Sequence, residues 1–255
     1  MGVAFGSERL SAIITGANRG IGLAIATKFA EKDIDLILTS RSDDLEFHEI
    51  CLNLGKKFGV NVVPMKLDLV DLTSIKSLVT AISKLENVPT ILVNNAGRAV
   101  GGRFQMTTVS QMTEMWETNV RGVFVLSQGI SRIFAKNGGG VITNLSSVAT
   151  LRPQEGMASY ASSKIAINYL TKIMAIELAS LKIEVLAVAP GVTETDMMLE
   201  IDIRVLEGML SMNPNRRANS PKEVADVVYQ TIKPDSPYHS GDIIVVDGGE
   251  VTNVY

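Results

Sequence analysis

Seven short apolar runs recur along the chain and constrain its fold more than any other feature. The runs are SAIIT (11–15), DLILT (35–39), VNVVPMKL (60–67), TILVN (90–94), GVITNL (140–145), IEVLAVA (183–189) and DIIVV (242–246). They are nearly continuous in Val, Ile and Leu, which is typical of strands buried on both faces of a parallel sheet. Helix-like stretches separate them, for example residues 21–32 and 169–179. This alternation predicts an α/β fold with helices on both faces of a parallel sheet.

The rest of the composition narrows the class of protein. No Pro- or Ser-rich linker or charge run divides the chain, so we expect residues 1–255 to form a single domain. A net charge of −3 offers no basic surface for nucleic acid, and no stretch approaches the roughly 20 apolar residues of a membrane span. The single cysteine, Cys51, fits a reducing compartment. We therefore expect a cytoplasmic protein. His48 and His239 have no neighbouring cluster of potential ligands, so we expect no metal site.

A glycine-rich turn, TGANRGIG (15–22), follows the first apolar run and opens the first predicted helix. Glycine lets the backbone turn tightly and lets a pyrophosphate approach it, while the N–H groups at the helix start face the phosphates. Glycines also occur in such turns for structural reasons alone, but this position is the one that a dinucleotide-binding turn requires. The residues that we assign to cofactor binding here are Gly16, Asn18, Arg19, Gly20, Ile21 and Gly22.

The end of the second apolar run bears on the type of dinucleotide. A binder of NAD usually has an acidic residue there to hold the ribose 2′-hydroxyl. This chain has Ser40 followed by Arg41, and Arg19 lies within the glycine turn. A guanidinium pairs well with a 2′-phosphate, which favours NADP(H) over NAD(H). Arg41 could instead be a solvated loop cation, and Asp43 and Asp44 keep NAD as the lesser alternative.

Four further stretches follow in order, and with the glycine turn they resemble the short-chain dehydrogenase/reductase family over nearly the whole chain. They are NNAG (94–97), WETNV (116–120), NLSS (144–147) and YASSK (160–164), with PGVTET (190–195) and VDGG (246–249) after them. Among its members the chain looks most like the 3-oxoacyl-(acyl-carrier-protein) reductases. The resemblance implies a Rossmann-type doubly wound parallel sheet of about seven strands.

The resemblance also implies four catalytic residues. Tyr160 would exchange the proton of the carbonyl or alcohol oxygen, and a cationic Lys164 one helical turn away would lower the tyrosine pKa. Lys164 would also hold the nicotinamide ribose. Ser147, which precedes the tyrosine by the family's usual 13 residues, would hydrogen-bond the substrate oxygen in preference to Ser146. Asn119 would hold a water that links the lysine to solvent.

The remaining cofactor contacts are carried over in the same way. Asp68 matches a position that contacts the adenine, whereas the segment from Pro190 matches one near the nicotinamide carboxamide. Asn95 is expected to have a mostly structural role. The residues assigned to cofactor binding in these segments are Asp68, Leu69, Asn94, Ala96, Gly97, Pro190, Gly191, Thr193 and Thr195, together with Tyr160 and Lys164.

Residues 192–217 correspond to a mobile substrate lid in the family. Its apolar residues include Met197, Met198, Leu199, Met209 and Met212. Such a surface favours a substrate with hydrocarbon character. An ordinary amphipathic helix would give the same pattern, so the sequence leaves the two readings open.

The leading hypothesis is therefore NADPH-dependent reduction of a ketone to a secondary alcohol, with a 3-oxoacyl thioester as the best substrate. The alternatives are an NAD(P)-dependent alcohol, polyol or sugar dehydrogenase and, more distantly, a non-catalytic dinucleotide sensor. The partner is expected to be a small carbonyl or alcohol substrate. Residues 136–140 and 180–182 supply two lysines and no arginine, which makes docking of a carrier protein doubtful. The family resemblance implies a homotetramer.

Overall fold

A computed structural model of the protein describes residues 9–199 and 203–251. The strands are β1 (Ser11–Thr15), β2 (Asp35–Ser40), β3 (Val62–Lys66), β4 (Ile91–Asn94), β5 (Gly140–Leu145), β6 (Ile183–Pro190) and β7 (Ile243–Val246). The helices are α1 (Gly20–Ala30), α2 (Leu45–Phe58), α3 (Leu72–Ile82), α4 (Val109–Trp116), α5 (Val123–Lys136), α6 (Ala158–Leu178), α7 (Asp196–Leu199), α8 (Ile203–Met212) and α9 (Pro221–Thr231). Every predicted strand is present, displaced by at most two residues at either end.

The strands form one parallel sheet in the order β3-β2-β1-β4-β5-β6-β7. The chain builds outward from β1 to β3, then returns to place β4 on the other side of β1. Ligands of such sheets bind beyond the carboxyl ends of the strands where the order reverses. The predicted Rossmann-type, doubly wound fold is confirmed, and its cleft lies beyond β1 and β4.

Successive side chains of a strand point to opposite faces of the sheet, which divides the core into two layers. In β1, Ala12 and Ile14 belong to the layer beneath α1 and α9, which also contains Phe29. Ile13 belongs to the layer on the other face, with Phe134 of α5. Helices therefore cover both faces, as the continuous apolar runs predict.

The two edge strands depart from the expected burial. The residues of β3 are only half-buried apart from Lys66, which is exposed, and Val245 of β7 is exposed. Each edge strand pairs with only one neighbour, so its side chains receive cover from fewer helices. The prediction that every run is buried on both faces is wrong for these two strands.

Two local features position the cleft residues. Helix α6 begins at Ala158 and so includes the YASSK stretch within its first two turns. Between α4 and α5 the chain makes a π-helical segment, Glu117–Gly122, a form found mostly at functional sites. A Cβ on Gly122 would lie 2.5 Å from the Leu69 carbonyl oxygen, so only glycine fits there.

Candidate active site

The glycine turn after β1 has the backbone shape that its sequence predicts. Gly16 and Gly20 have φ values of 63° and 56°, in the left-handed region that favours glycine. A Cβ on Gly22 would lie 2.1 Å from the Gly16 carbonyl oxygen, so a side chain there would collide with the turn. The third glycine therefore lets α1 pack against the turn.

The start of α1 fits a pyrophosphate group. The residue preceding the helix, Arg19, makes no side-chain cap, so no side chain at that position satisfies the first N–H groups of the helix. Such N–H groups bind phosphate readily. Asn18, Gly20 and Ile21 are partly buried around this helix start, where the sequence analysis placed them.

The charged residues near the predicted adenosine end differ in their contacts. Arg41 is exposed beyond β2, next to the buried Ser40. Asp44 caps α2 by accepting a hydrogen bond from the Phe47 N–H. Asp43 contacts His48, with 2.7 Å between the carboxylate and the ring nitrogen.

Arg19 makes a contact that the sequence did not predict. Its guanidinium lies 2.9 Å from a carboxylate oxygen of Asp196, at the start of α7. Both side chains are exposed, so this ion pair contributes little stability. It connects the glycine turn to the predicted lid.

Tyr160 and Lys164 lie one turn apart on α6, as their spacing predicts. The Lys164 Nζ is 5.9 Å from the centre of the Tyr160 ring and donates a 2.7 Å hydrogen bond to the Leu145 carbonyl at the end of β5. Burial lowers the Lys164 pKa to about 8, because desolvation disfavours the ammonium form. The lysine ammonium is therefore fixed between α6 and the sheet.

The pKa of Tyr160 departs from expectation. Burial of the phenol raises its pKa above the usual value of 10.0, and the neighbouring Ser147 hydroxyl lowers it only in part. Desolvation outweighs any lowering of this pKa by the Lys164 ammonium, which donates its hydrogen bond to the Leu145 carbonyl. Tyr160 is therefore a protonated phenol at neutral pH, which suits a proton donor.

The two serines after β5 have different surroundings. Ser147 lies at the start of a short 3₁₀ turn, where its hydroxyl accepts a hydrogen bond from the Ala149 N–H. It is the serine close enough to Tyr160 to affect the phenol. The Ser146 hydroxyl is buried and has no hydrogen-bond partner among the described residues. This geometry favours Ser147 over Ser146 as the partner of Tyr160.

Asn119 joins the π-helical segment to the active-site helix. Its amide nitrogen donates to the Ser163 hydroxyl of α6 at 3.0 Å and to the Arg98 carbonyl at 2.8 Å. Its carbonyl oxygen accepts from the Arg98 N–H. A Cβ on Gly97 would lie 3.3 Å from the Asn119 oxygen and 3.5 Å from the Lys164 Nζ. A side chain at position 97 would therefore crowd both groups, and the water expected beside them stays a prediction.

The two asparagines at the end of β4, Asn94 and Asn95, have mainly internal contacts. Asn95 donates to the carbonyls of Thr15 and Gly16 at 2.8 and 3.0 Å, which fits its expected structural role. The side chain of Asn94 is buried and donates to Ser127 and Asn144. A cofactor contact by Asn94 stays a prediction. Ala96 is partly buried beside the glycine turn.

The other predicted cofactor residues lie around the same edge of the sheet. Asp68 accepts a hydrogen bond from the Val70 N–H, and Leu69 is buried. Pro190 ends β6. The Thr193 hydroxyl donates to the Gly191 carbonyl, and the Thr195 hydroxyl donates to the Thr193 carbonyl.

The segment that follows β6 also approaches the glycine turn directly. A Cβ on Gly20 would lie 3.3 Å from the Thr195 methyl group. The elements that carry the predicted cofactor residues therefore converge on one cleft.

The amino-acid pattern of this cleft has many known counterparts. The family model described as short chain dehydrogenase matches residues 11–204, which is most of the chain. The chain belongs to the short-chain dehydrogenase family. Over 242 residues this short-chain dehydrogenase is 35% identical to the 7alpha-hydroxysteroid dehydrogenase of Escherichia coli, covering 94% of this chain and 93% of the relative.

Two further comparisons agree with this assignment. The protein is 33% identical over 238 residues to a 3-oxoacyl-(acyl-carrier-protein) reductase of Vibrio cholerae, covering 93% of this chain and 96% of the relative. The solved structure of ElxO with NADP bound superposes with a TM-score of 0.88 at 27% identity, covering 96% of this chain and all of that one. This short-chain dehydrogenase is therefore an oxidoreductase of CH–OH and C=O groups that uses a nicotinamide dinucleotide.

The described residues also bear on the predictions about membrane helices, metal ligands and the lid. Among residues 9–199 and 203–251, no helix is long and apolar enough to cross a membrane. The same residues contain no group of three potential metal ligands. The predicted lid contains α7 and α8, in which Met198 and Met209 are half-buried. The side chains of Met197 and Leu199 lie outside the described part.

Three polar residues around the end of the predicted lid were not predicted from the sequence. Asn213, just after α8, donates to the carbonyls of Asp247 and Arg217 and so fixes the end of the lid. Arg152 and Glu250 lie 3.9 Å apart between guanidinium and carboxylate. They are 98 residues apart in the chain and belong to no motif, so only the fold brings them together.

Proposed function

We propose that this short-chain dehydrogenase uses NADPH to reduce a ketone to a secondary alcohol, and that its best substrate is a 3-oxoacyl thioester. The observation that carries the proposal is the buried Tyr160 phenol beside Ser147, with the buried Lys164 one turn away on α6. These groups supply what carbonyl reduction requires of a protein: a proton donor and a hydrogen-bond donor at the same oxygen.

When bound in the cleft, a nicotinamide cofactor would supply the hydride for the carbonyl carbon. Tyr160 gives its proton to the carbonyl oxygen as negative charge develops there, and Ser147 donates a hydrogen bond to that oxygen. Lys164 stabilises the resulting phenolate by its positive charge. The space between Lys164 and Asn119 beside Gly97 suits a water that returns a proton from solvent. In the oxidative direction the same residues act in reverse, with Tyr160 as the base.

The preference for NADPH rests on the charges beyond β2. The exposed Arg41 is available for a 2′-phosphate. The nearby carboxylates that could favour NAD have other roles, since Asp44 caps α2 and Asp43 contacts His48. Arg19, in the glycine turn, is a second candidate cation, and a 2′-phosphate would compete with Asp196 for it.

Two substrate classes deserve priority. The reductase from Vibrio cholerae supports a 3-oxoacyl thioester, whereas the enzyme from Escherichia coli supports a hydroxysteroid or another apolar secondary alcohol. We propose that residues 192–217 act as a lid, and the half-buried Met198 and Met209 give it apolar character that suits either class. Docking of a carrier protein has little support from charge, so a coenzyme A thioester is the better first probe.

We also propose that the protein is a homotetramer. Helices α4, α5 and α6 expose a set of large apolar side chains that includes Val109, Phe124, Ile165, Tyr169 and Ile176. An exposed apolar surface of this kind marks a protein interface. Light scattering of the purified protein should give four times the chain mass, and Phe124→Glu should reduce it.

The test is NADPH oxidation measured with acetoacetyl-coenzyme A and with a panel of ketosteroids, and then repeated with NADH. Turnover with either class and a preference for NADPH would support the proposal. Faster turnover of ketosteroids than of the thioester would favour the second class. If the protein binds NADPH yet reduces neither class, ketone reduction of these substrates is refuted.

A further inference from the structure

Arg152 is held close to the catalytic serine by local hydrogen bonds. It follows Ser147 by five residues, and its N–H donates to the Val148 carbonyl at 3.0 Å. Within the same turn, the Thr150 hydroxyl donates to the Ser147 carbonyl. The short turn therefore places Arg152 at the same end of the sheet as Ser147, on the loop that leads to Tyr160.

Glu250 reaches this region from the segment after β7. A Cβ on Gly191 would lie 3.4 Å from one Glu250 carboxylate oxygen, so the carboxylate lies over the end of β6. Gly191 belongs to the segment assigned to the nicotinamide end of the cofactor. Glu250 and Arg152 thus meet where the loops after β5, β6 and β7 come together.

The Glu250 carboxylate is unusually placed for a structural residue. Its side chain is only 1% exposed, and its Oε1 atom has no hydrogen-bond partner among the described residues. The Arg152 guanidinium is 3.9 Å away, too far for a hydrogen bond. Burial and the nearby Asp247 both raise the Glu250 pKa, and Arg152 lowers it. A buried, unsatisfied carboxylate oxygen is costly, and a bound hydrogen-bond donor would satisfy it.

Arg152 is the more accessible partner. Its side chain is 35% exposed, and its guanidinium contacts the Met212 sulfur at the end of α8. It therefore lies under the end of the lid, with an apolar surface on one side and the Glu250 carboxylate on the other. A group that enters beneath the end of the lid would meet the Arg152 guanidinium first, with the Glu250 carboxylate behind it.

We propose that Arg152 and Glu250 bind a hydroxyl group of the substrate that is distinct from the reacting oxygen. Arg152 donates a hydrogen bond to the hydroxyl oxygen, and the hydroxyl donates to the Glu250 carboxylate. A hydroxyl fits better than a carboxylate or phosphate, because Glu250 would repel an anion. This inference rests on the proposed ketone reduction and favours the second of the two substrate classes: an apolar ketone that carries a further hydroxyl group.

The test compares ketosteroids that carry one further ring hydroxyl with matched ketosteroids that lack it. For wild type and Glu250→Met, kcat/KM with NADPH is measured for each pair. We expect Glu250→Met to lower kcat/KM about 10- to 100-fold for at least one hydroxylated ketone, and less than about twofold for its partner. Glu250→Gln keeps a hydrogen-bond acceptor, so its kcat/KM for the hydroxylated ketone should fall between those of the wild type and Glu250→Met. Glu155→Gln, an exposed carboxylate in the loop of Arg152, is the matched control.

A binding measurement separates this proposal from the proposed function. The dissociation constants of each pair are measured by calorimetry with wild type and Glu250→Met, both saturated with NADP⁺. If no ketone is reduced but wild type binds a hydroxylated ligand more tightly than the variant does, reduction of these substrates is refuted and the subsite is supported. The subsite would be overturned if Glu250→Met lost the same affinity for both members of every pair, or if the wild type bound no member of any pair.

Discussion

Replacing Lys164 by methionine should make the protein more stable at neutral pH while it abolishes turnover. The lysine pKa falls from 10.5 to about 8 because the ammonium is buried. At about 1.36 kcal/mol per pKa unit, this desolvation costs the folded state ~3.4 kcal/mol at pH 7. Methionine has similar length and no charge, but it leaves the Leu145 carbonyl without its donor, at a cost of about 1–3 kcal/mol. The expected net gain is ~0.4–2.4 kcal/mol.

The pH dependence of this gain has a definite sign. Below pH 8 the lysine is charged in both the folded and the unfolded state, so its full penalty is present. Between pH 8 and 10.5 the folded state loses the proton first, and the stability of the wild type rises relative to the variant. At pH 10 about 2.7 kcal/mol of the penalty has gone. Lys164→Met should then be less stable than wild type, by ~0.3–2.3 kcal/mol.

Urea unfolding at pH 7 and pH 10, at one fixed protein concentration and without added nucleotide, provides the measurement. Lys172→Met, at an exposed position two turns further along α6, is the control and should change the free energy of unfolding by less than about 0.5 kcal/mol at either pH. If Lys164→Met destabilises the protein at pH 7, or if its effect is the same at both pH values, the burial of a charged lysine is not the source of the cost.

Three further predictions follow from the same cleft. Gly22→Ala should weaken NADPH binding in a fluorescence titration, because the new Cβ would collide with the Gly16 carbonyl and displace the turn; unchanged affinity would contradict this. Arg41→Ala should raise the NADPH dissociation constant about 10- to 100-fold and leave that of NADH nearly unchanged, and equal effects on both would count against a 2′-phosphate contact. Glu250→Gln should raise the melting temperature at pH 8 more than at pH 4.5, because the folded pKa of Glu250 is raised and its ionised form destabilises the fold; an equal shift at both pH values would exclude this cause.

The sheet was predictable from the sequence because its strands are specified locally. A run such as GVITNL contains three successive β-branched residues, Val141 to Thr143, and its bounds agree with β5 at both ends. The edge strands were harder to predict. Whether Val245 is covered depends on helices that are distant in the sequence, and the pattern of a single run contains no such information.

The candidate site was predictable where its residues lie in ordered motifs. The close approach of Tyr160 and Lys164 follows from helical spacing alone. The π-helical turn around Asn119 could not be predicted, since the packing of Gly122 on Leu69 occurs only in the folded protein. The Tyr160 pKa also depends on burial and on where the Lys164 ammonium points, and neither is local in sequence.

The most direct test of the account is the rate of hydride transfer in a single turnover, measured from NADPH absorbance with wild type and Tyr160→Phe. The substrate is the ketone that the wild type reduces fastest. Phenylalanine removes only the phenolic hydroxyl, so the account predicts a similar NADPH dissociation constant and a rate lowered by about 10²- to 10⁴-fold. If Tyr160→Phe transfers hydride within about threefold of the wild-type rate, Tyr160 is not the proton donor and the proposed mechanism is wrong.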